Sequence, residues 1–242
     1  MEQHPPAHWT ETTHIDLTDI AARRMGLSRF HRELLCRNIM VPDSWGVLDK
    51  IRHYMPLCSL FAGELTREAI CASRVRQKTG FEKLGHAMHF LQDAGNPWHG
   101  RPLLPSYQKN HTIYEEYVAG NMREGFCFSR SLAGIREQGR FHLLFAHRIH
   151  DGAAFLARQA AGKFSFLDTA IRTDPSWKES EEVAAITLDL LNSCMEMCET
   201  QIHSFAIRAE PRAIRPIRLP AAVTWTFLGS DERRLAAVSP VS

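Results

Sequence analysis

The sequence lacks the features that mark several large classes of protein. Its apolar runs all fall short of the roughly 18 to 20 residues that span a bilayer. The first residues have neither the basic start nor the apolar core of a secretory signal, which predicts a cytoplasmic protein without a transmembrane segment. The formal net charge is only +2, so the chain lacks the basic excess of most nucleic-acid-binding surfaces. Charge alone therefore identifies no partner.

The chain also lacks the closely spaced cysteines of a small disulfide-bonded domain. Its six cysteines are spread through apolar or helical segments, which is typical of reduced core residues. Cys194 and Cys198 lie four residues apart on a predicted helix, where packed thiols are favoured over a soft-metal pair. With 242 residues, 44% of them hydrophobic, the sequence predicts one domain with a sizeable core.

Helical periodicity is the strongest pattern that the sequence does contain. Apolar residues recur at intervals of three and four in successive segments, which predicts an all-α, multi-helix globular bundle over residues 13–207. Thr13 is predicted to cap the first helix, and Gly26 is predicted to end it. Residues 1–12 are predicted to form a flexible segment. Residues 208–242, which contain four prolines, are predicted to form an irregular tail that is extended or disordered.

Two further helices are predicted in the second half of the chain. The segment FHLLFAHRIHDGAAFLARQ predicts one continuous helix with Leu144 and Phe145 on its core side. The run from Glu181 to Ile207 predicts the longest helix, which we interpret as scaffold.

Histidines and acids gather in the stretch Leu84–Val118 at spacings that suit metal ligands. The chain has 13 histidines, more than core packing usually requires. The stretch contains two pairs at a spacing of four residues and one histidine between them: His89 with Asp93, His111 with Glu115, and His99. Residues four apart lie on one face of a helix. Neutral imidazole and carboxylate together suit zinc and its neighbours among the divalent metals.

Some polar residues near this stretch have simpler interpretations. His86 falls on the same polar stripe as His89 and Asp93 of a mostly apolar predicted helix, where polar groups must be paired, hydrated or metal-bound. Taken alone, Asp43 is best interpreted as a turn or capping residue, and His53 as an ordinary surface or half-buried imidazole. Only a link to the central stretch gives these two residues a functional meaning.

The segment LGHAMHFLQDAGNPWHG, followed by NHTIYEEYV, resembles the ligand core of the zinc-dependent phospholipase C family. That family shares an all-helical fold with the fungal single-strand nucleases. Its pattern is His, three residues, Asp, five residues, His, a variable loop, then His, three residues and Glu or Asp. The matching residues here are His89, Asp93, His99, His111 and Glu115. The resemblance covers roughly residues 9–207 and implies a helical bundle around a multinuclear zinc site.

The resemblance also implies roles for residues outside this core. Trp9 and His14 resemble the family's amino-terminal Trp and the His behind it, while Asp43 and His53 resemble the acid and the ligand that complete the cluster. Two or three zinc ions per chain are implied, held by His53, His89 and Asp93, by His99, His111 and Glu115, and by Trp9 and His14 with a shared Asp93. Asp43 is implied as the general base. The implied activity is phosphodiester hydrolysis by a metal-activated water, with a phospholipid as the first expected substrate.

The sequence departs from the family in two places. Family members are typically secreted and cleaved so that the Trp becomes the first residue, whereas Trp9 is internal here. The 35 residues after Ile207 are too few for the family's lipid-binding sandwich, which needs about 100. The last ligand is nonetheless Glu115, which is typical of the phospholipase branch, since the nuclease branch more often has Asp.

Two other interpretations stay open. The chain is a candidate for a single-strand nuclease or nucleotidase-type phosphoesterase, in which Trp45, Tyr54, Trp98 and Tyr107 would stack on bases. It is also a candidate for a non-catalytic zinc-binding scaffold. The expected partner is a phospholipid or another phosphodiester, with peripheral membrane contact, and nucleic acid is expected only for the nuclease.

Overall fold

The protein is all-α, as predicted. The computed structural model describes residues 11–101, 108–134 and 140–209, and these residues form α-helices and short 3-10 segments without a strand. The α-helices are α1 Glu11–Arg24, α2 Arg29–Asn38, α3 Leu57–Val75, α4 Gln77–Ala94, α5 Gln108–Arg123, α6 Phe128–Gly134, α7 Arg140–Phe145, α8 Ile149–Thr173 and α9 Glu181–Ala209. Two 3-10 segments, Val41–Ser44 and Val47–His53, connect α2 to α3.

Helix α4 lies at the centre of the bundle. Every residue from Ala87 to Ala94 is buried, because α4 packs against α3 most extensively and also against α2, α8 and α9. Only Arg76 separates α3 from α4. The two helices approach closely near this turn, where a Cβ added to Gly80 would lie 2.5 Å from the Cβ of Ser73. A glycine is therefore required at position 80.

The longest helix, α9, spans 29 residues and packs against α1, α3, α4, α7 and α8. It begins at the predicted Glu181 and extends two residues beyond the predicted end, to Ala209. Its buried side chains include apolar residues such as Leu191 and Phe205, but also many polar ones. The scaffold role predicted for this segment agrees with its central position.

The first helix begins two residues before its predicted start. Thr13 lies inside α1 and is buried, so the prediction that it caps the helix is wrong. Gly26 follows the helix with φ +69°, a left-handed conformation that favours glycine and agrees with the predicted helix end. The predicted flexible segment lies outside the described residues except for positions 11 and 12, and the predicted tail lies outside them except for positions 208 and 209.

The segment after Arg140 forms two helices rather than the single predicted one. α7 ends at Phe145, and the backbone N–H of Arg148 donates to the carbonyl of Phe145 in a turn before α8 begins. Phe145 lies against Gly152, where an added Cβ would meet the Phe145 Cβ at 3.0 Å. The chain therefore bends back between α7 and α8, and Gly152 leaves room for Phe145 to pack against α8. Leu144, predicted on the core side, is 66% exposed as a result.

Among the described residues, no helix combines the length and the apolar character that crossing a membrane requires.

Candidate metal centre

Helix α4 carries the first pair of candidate ligands, His89 and Asp93, both fully buried. The pair faces one way because the two residues are one helical turn apart. Gly95 then ends the helix, and Asn96 closes the following turn by accepting a hydrogen bond from the backbone N–H of Trp98 at 2.9 Å. This turn brings His99 back under α4, where its Nδ1 lies 3.2 Å from Asp93 Oδ1.

A compact group is formed by His99, His111 and Glu115, the last two on α5. His111 Nε2 lies 3.0 Å from His99 Nε2 and 2.7 Å from Glu115 Oε1. His99 Nε2 lies 3.7 Å from the same carboxylate oxygen. The three side chains are at most 2% exposed, so all three donor atoms point into a closed space.

A second group consists of Asp43 and His53, one from each of the two 3-10 segments, together with His89 of α4. Asp43 Oδ1 lies 3.2 Å from His89 Nε2 and 3.8 Å from His53 Nε2. The His89 Nε2 atom is also 3.1 Å from His53 Nδ1. The side chain of Asp43 is 17% exposed, which makes it the most accessible residue of the centre.

Helix α1 contributes a third group, in which His14 joins His89 and Asp93. The ring of His14 stacks on the ring of His89, with centroids 4.4 Å apart. His14 Nε2 faces Asp93 Oδ1 at 3.7 Å. Because His89 belongs to two of the groups, the groups containing His14 and Asp43 lie side by side.

Asp93 contacts four of the histidines. Its Oδ2 atom lies 2.7 Å from His53 Nδ1 and 3.3 Å from His89 Nε2. Its Oδ1 atom faces His99 and His14. The set that the family resemblance implies for one ion, His53, His89 and Asp93, therefore has all of its donor atoms within 3.3 Å of one another. Asp93 is placed to bridge neighbouring ions.

The spacing of the donor atoms suits a bound metal. Two ligand atoms that share a tetrahedral zinc at about 2.0–2.1 Å lie roughly 3.3 Å apart, and distances of 2.7–3.7 Å join the donor atoms of His99, His111 and Glu115. The second oxygen of Glu115 is buried and accepts no hydrogen bond from the described residues. Burying an unpaired polar atom is costly. A divalent cation would satisfy it.

Burial and charge shift the pKa values of the centre in both directions. Burial raises the pKa of Glu115, and at His89 burial, which lowers the pKa, is outweighed by the carboxylates of Asp93 and Asp43, which raise it. Burial lowers the pKa of His14 to about 4 and that of His99 to about 3, which leaves both imidazoles neutral. Burial raises the pKa of Asp93, but the surrounding imidazoles of His89, His99 and His53, with a hydrogen bond to His53, outweigh it, so the pKa stays well below its ordinary value. Neutral imidazole and ionised carboxylate are the forms that bind metals.

The structure brings together seven of the residues predicted from sequence to bind metal and the predicted base, Asp43. The seven are His14, His53, His89, Asp93, His99, His111 and Glu115. The eighth predicted ligand, Trp9, lies outside the described residues. Asp43 belongs to a possible ligand group, so its side chain is near enough to bind an ion as well as to accept a proton.

His86 does not join the centre, although it shares the polar stripe of His89. It belongs to none of the metal-capable groups among the described residues, and its ring contacts the edge of Trp45 at 5.5 Å. A step of three residues turns the side chain by about 300° around the helix. His86 contacts Trp45, the residue directly after the 3-10 segment Val41–Ser44.

Two buried amides that contact the ligands were not predicted from the sequence. Asn96 donates from Nδ2 to Glu115 Oε1 at 2.8 Å, and Gln92 contacts His14 at 2.7 Å. Asn96 lies within the segment that resembles the phospholipase C family. An asparagine between the end of a helix and a proline is, however, a common turn residue, so the sequence does not single it out. The side chain of Gln92 bonds to residues on α1 and α9, so no local pattern reveals it.

Compared with known proteins, the sequence matches no family model and no curated protein. The resemblance to the zinc-dependent phospholipase C family therefore stays a prediction.

Proposed function

We propose that this chain is a zinc-dependent phosphodiester hydrolase of the phospholipase C type. The observation that carries the proposal is the position of one buried carboxylate, Asp93, in contact with His14, His53, His89 and His99. Paired ions bridged by a carboxylate are a common arrangement for displacement at phosphorus. A structural site for a single ion would need only four of these ligands.

Zinc is the metal that the ligand chemistry favours. The centre offers imidazole nitrogens and carboxylate oxygens, whereas magnesium and calcium prefer oxygen ligands alone. No thiol belongs to the metal-capable groups of the described residues, which disfavours copper(I) and iron–sulfur clusters. Two or three zinc ions per chain fit the three groups.

The residues of the chain have distinct roles in the proposed reaction. Bound zinc would supply charge for the phosphoryl oxygens and lower the pKa of a coordinated water towards about 7. Asp43, at the accessible side of the centre, would orient the attacking water and accept its proton at a carboxylate oxygen. The buried imidazole of His99 would hold its ion without competing for that proton, since burial keeps it neutral.

Side chains that neighbour Asp43 and His53 along the chain, Trp45 and Arg52, suit a substrate with a polar headgroup. Trp45 lies two residues after Asp43, and its ring packs against Phe90 at 5.9 Å. Arg52 lies over the ring of Phe61 at 4.7 Å. Aromatic faces attract quaternary ammonium groups, and a guanidinium attracts phosphate. A phospholipid headgroup offers both, and for this reason a phospholipid is the first substrate we propose.

The decisive experiment compares Asp93→Asn with Asp168→Asn. Asp168 is also a buried aspartate, but it pairs with Asn110 and Arg172 outside the centre. Metal content should be measured by plasma mass spectrometry, together with hydrolysis of a phosphocholine ester and of single-stranded DNA. We expect the wild type and Asp168→Asn to bind two or three zinc ions and to hydrolyse the ester. Asp93→Asn should lose both its zinc and its ester hydrolysis. Wild-type zinc content in Asp93→Asn would sink the proposal.

A metal-binding scaffold is the second candidate. The observation that favours it is the near-complete burial of every ligand except Asp43, because structural zinc sites are closed by protein ligands. The same assays separate the two functions. A protein that holds zinc and is stabilised by it, but hydrolyses neither substrate, would be a scaffold. Preferential hydrolysis of single-stranded DNA would instead indicate the nuclease.

A further inference from the structure

Gln92 links the centre to two other helices. It lies on α4 next to Asp93 and is fully buried. Its Oε1 atom lies 2.7 Å from Nδ1 of His14 on α1. Its Nε2 group donates to Oγ1 of Thr18 at 2.8 Å and contacts Sγ of Cys198 on α9 at 3.6 Å.

In the structure the amide is oriented with Nε2 towards a hydroxyl and a thiol, each of which can accept a hydrogen bond. Because Nε2 faces the Thr18 hydroxyl and the Cys198 sulfur, the oxygen of Gln92 faces His14. An amide oxygen only accepts hydrogen bonds. Nδ1 of His14 must therefore carry the proton and donate it to Gln92 Oε1. In a neutral imidazole the other nitrogen, Nε2, then carries the lone pair, and this is the nitrogen that faces Asp93.

We propose that Gln92 is a positioning residue that holds His14 as the Nδ1–H tautomer and thereby presents Nε2 to an ion shared with Asp93. This inference rests on the proposed zinc site. Groups that hydrogen-bond to the far nitrogen of a ligating histidine typically change metal affinity by about 10- to 100-fold.

The effect is specific for one of the three groups. Among the described residues, the side chain of Gln92 hydrogen-bonds to His14 but to no member of the groups containing Asp43 or His111. Removing the amide should therefore weaken one ion and leave the others bound. A general loss of structure would weaken all of them.

The chain offers a matched control in Gln201. It too is fully buried, and its Nε2 donates to a buried threonine, Thr66, at 2.7 Å. Gln92→Leu and Gln201→Leu thus each remove a buried amide and its bond to a threonine hydroxyl. Only Gln92→Leu removes a contact with a histidine of the centre.

The first measurement is the tautomer of His14 in the chelator-treated full chain, by nitrogen-15 and proton correlation spectroscopy of the imidazole ring. We expect the Nδ1–H form in the wild type and in Gln201→Leu, and a mixture of tautomers in Gln92→Leu. Gln92→Glu keeps an acceptor for Nδ1–H, so it should retain the Nδ1–H form. An Nε2–H form or a mixture in the wild type would overturn the inference, whether or not metal binds.

The second measurement is zinc affinity by competition with a chromogenic chelator. We expect the weakest ion of the wild type to bind about 10- to 100-fold more weakly in Gln92→Leu, with unchanged affinity in Gln201→Leu and recovery in Gln92→Glu. If the wild type and Gln92→Leu bound every ion with equal affinity, the role of Gln92 would be overturned, but the proposed zinc site would stand. A wild type that takes up no zinc would instead sink the proposed function.

Discussion

Two buried polar regions of this protein differ in how their polar groups are paired. One is the metal centre, and the other is a set of three side-chain pairs along α9 that we call the α9 polar row: Arg24 with Glu199, Gln201 with Thr66, and Tyr114 with Thr187. Both regions bury polar groups that must find partners. Each pair of the α9 polar row joins a donor to an acceptor of the protein, such as Arg24 Nε at 2.6 Å from Glu199 Oε1.

The metal centre pairs acceptors with acceptors. His111 Nε2 lies 2.7 Å from a carboxylate oxygen and 3.0 Å from the Nε2 atom of His99. A single proton cannot satisfy all three atoms, and burial resists the protonation of His99 by lowering its pKa to about 3. The comparison teaches that each pair of the α9 polar row joins a donor to an acceptor, whereas the centre gathers acceptor atoms that a cation would pair.

The largest expected effect is that of metal removal on stability. A ligand present at a thousandfold excess over its dissociation constant stabilises the folded state by about 4 kcal/mol. We therefore expect chelation to lower the free energy of unfolding by about 4 kcal/mol for each ion lost. Urea unfolding with and without chelator measures this. Gln201→Leu should respond to the chelator as the wild type does, and an unchanged unfolding midpoint in the wild type would contradict the comparison.

The next effect comes from breaking the α9 polar row. Arg24→Met removes the guanidinium that pairs with the carboxylate of Glu199, which is 1% exposed. Removing one partner of a buried ion pair typically costs about 3–5 kcal/mol. We expect this loss in urea unfolding of the zinc-loaded protein, with unchanged zinc content by mass spectrometry. A variant that folds normally but loses zinc would show that the two regions are not independent.

Local spacing explains which parts of the centre could be predicted from sequence. His89 with Asp93, and His111 with Glu115, are each one helical turn apart, so helical geometry alone brings the two members of each pair together. His53 and His14 come near Asp93 only because separate elements pack on α4. Their roles came from the family resemblance, since spacing along the chain does not encode that packing.

Gln92 shows what the sequence could not reveal. Its hydrogen bond to Thr18 spans 74 positions, and its contact with Cys198 spans 106. In the sequence it is one polar residue beside a stronger motif. The break between α7 and α8 escaped prediction for a similar reason, because apolar periodicity continues through it and only the packing of Phe145 on Gly152 reveals the bend.

A smaller effect should appear in the pH dependence of the chelated protein. The pKa of His99 falls from 6.5 to about 3 on burial, so the unfolded chain binds more protons between these values and stability falls as the pH falls. His99→Gln removes this dependence. Between about pH 6.5 and pH 5 we expect the wild type to lose roughly 2 kcal/mol more than the variant. Urea midpoints across this range measure the difference, and parallel curves would contradict the burial of a neutral His99.

The smallest expected effect concerns Tyr114, which belongs to the α9 polar row and packs against Trp98 beside the centre. Tyr114 donates from its hydroxyl to Thr187 Oγ1 at 3.2 Å, while its ring packs against Trp98, which in turn stacks on His111. Tyr114→Phe removes the hydroxyl and keeps the ring, so we expect a loss of about 1 kcal/mol in urea unfolding.

Zinc affinity should not change in Tyr114→Phe, because the aromatic contact behind His111 survives. Tyr114→Ala is the matched variant that removes this contact, and it should lower both stability and the affinity of the ion held by His111. Weaker zinc binding in Tyr114→Phe would mean that the hydrogen bonds of the α9 polar row help to hold the ligands in place. In that case the α9 polar row and the centre would form one network. The contrast between a region paired by protein groups and a region paired by a metal would then be wrong.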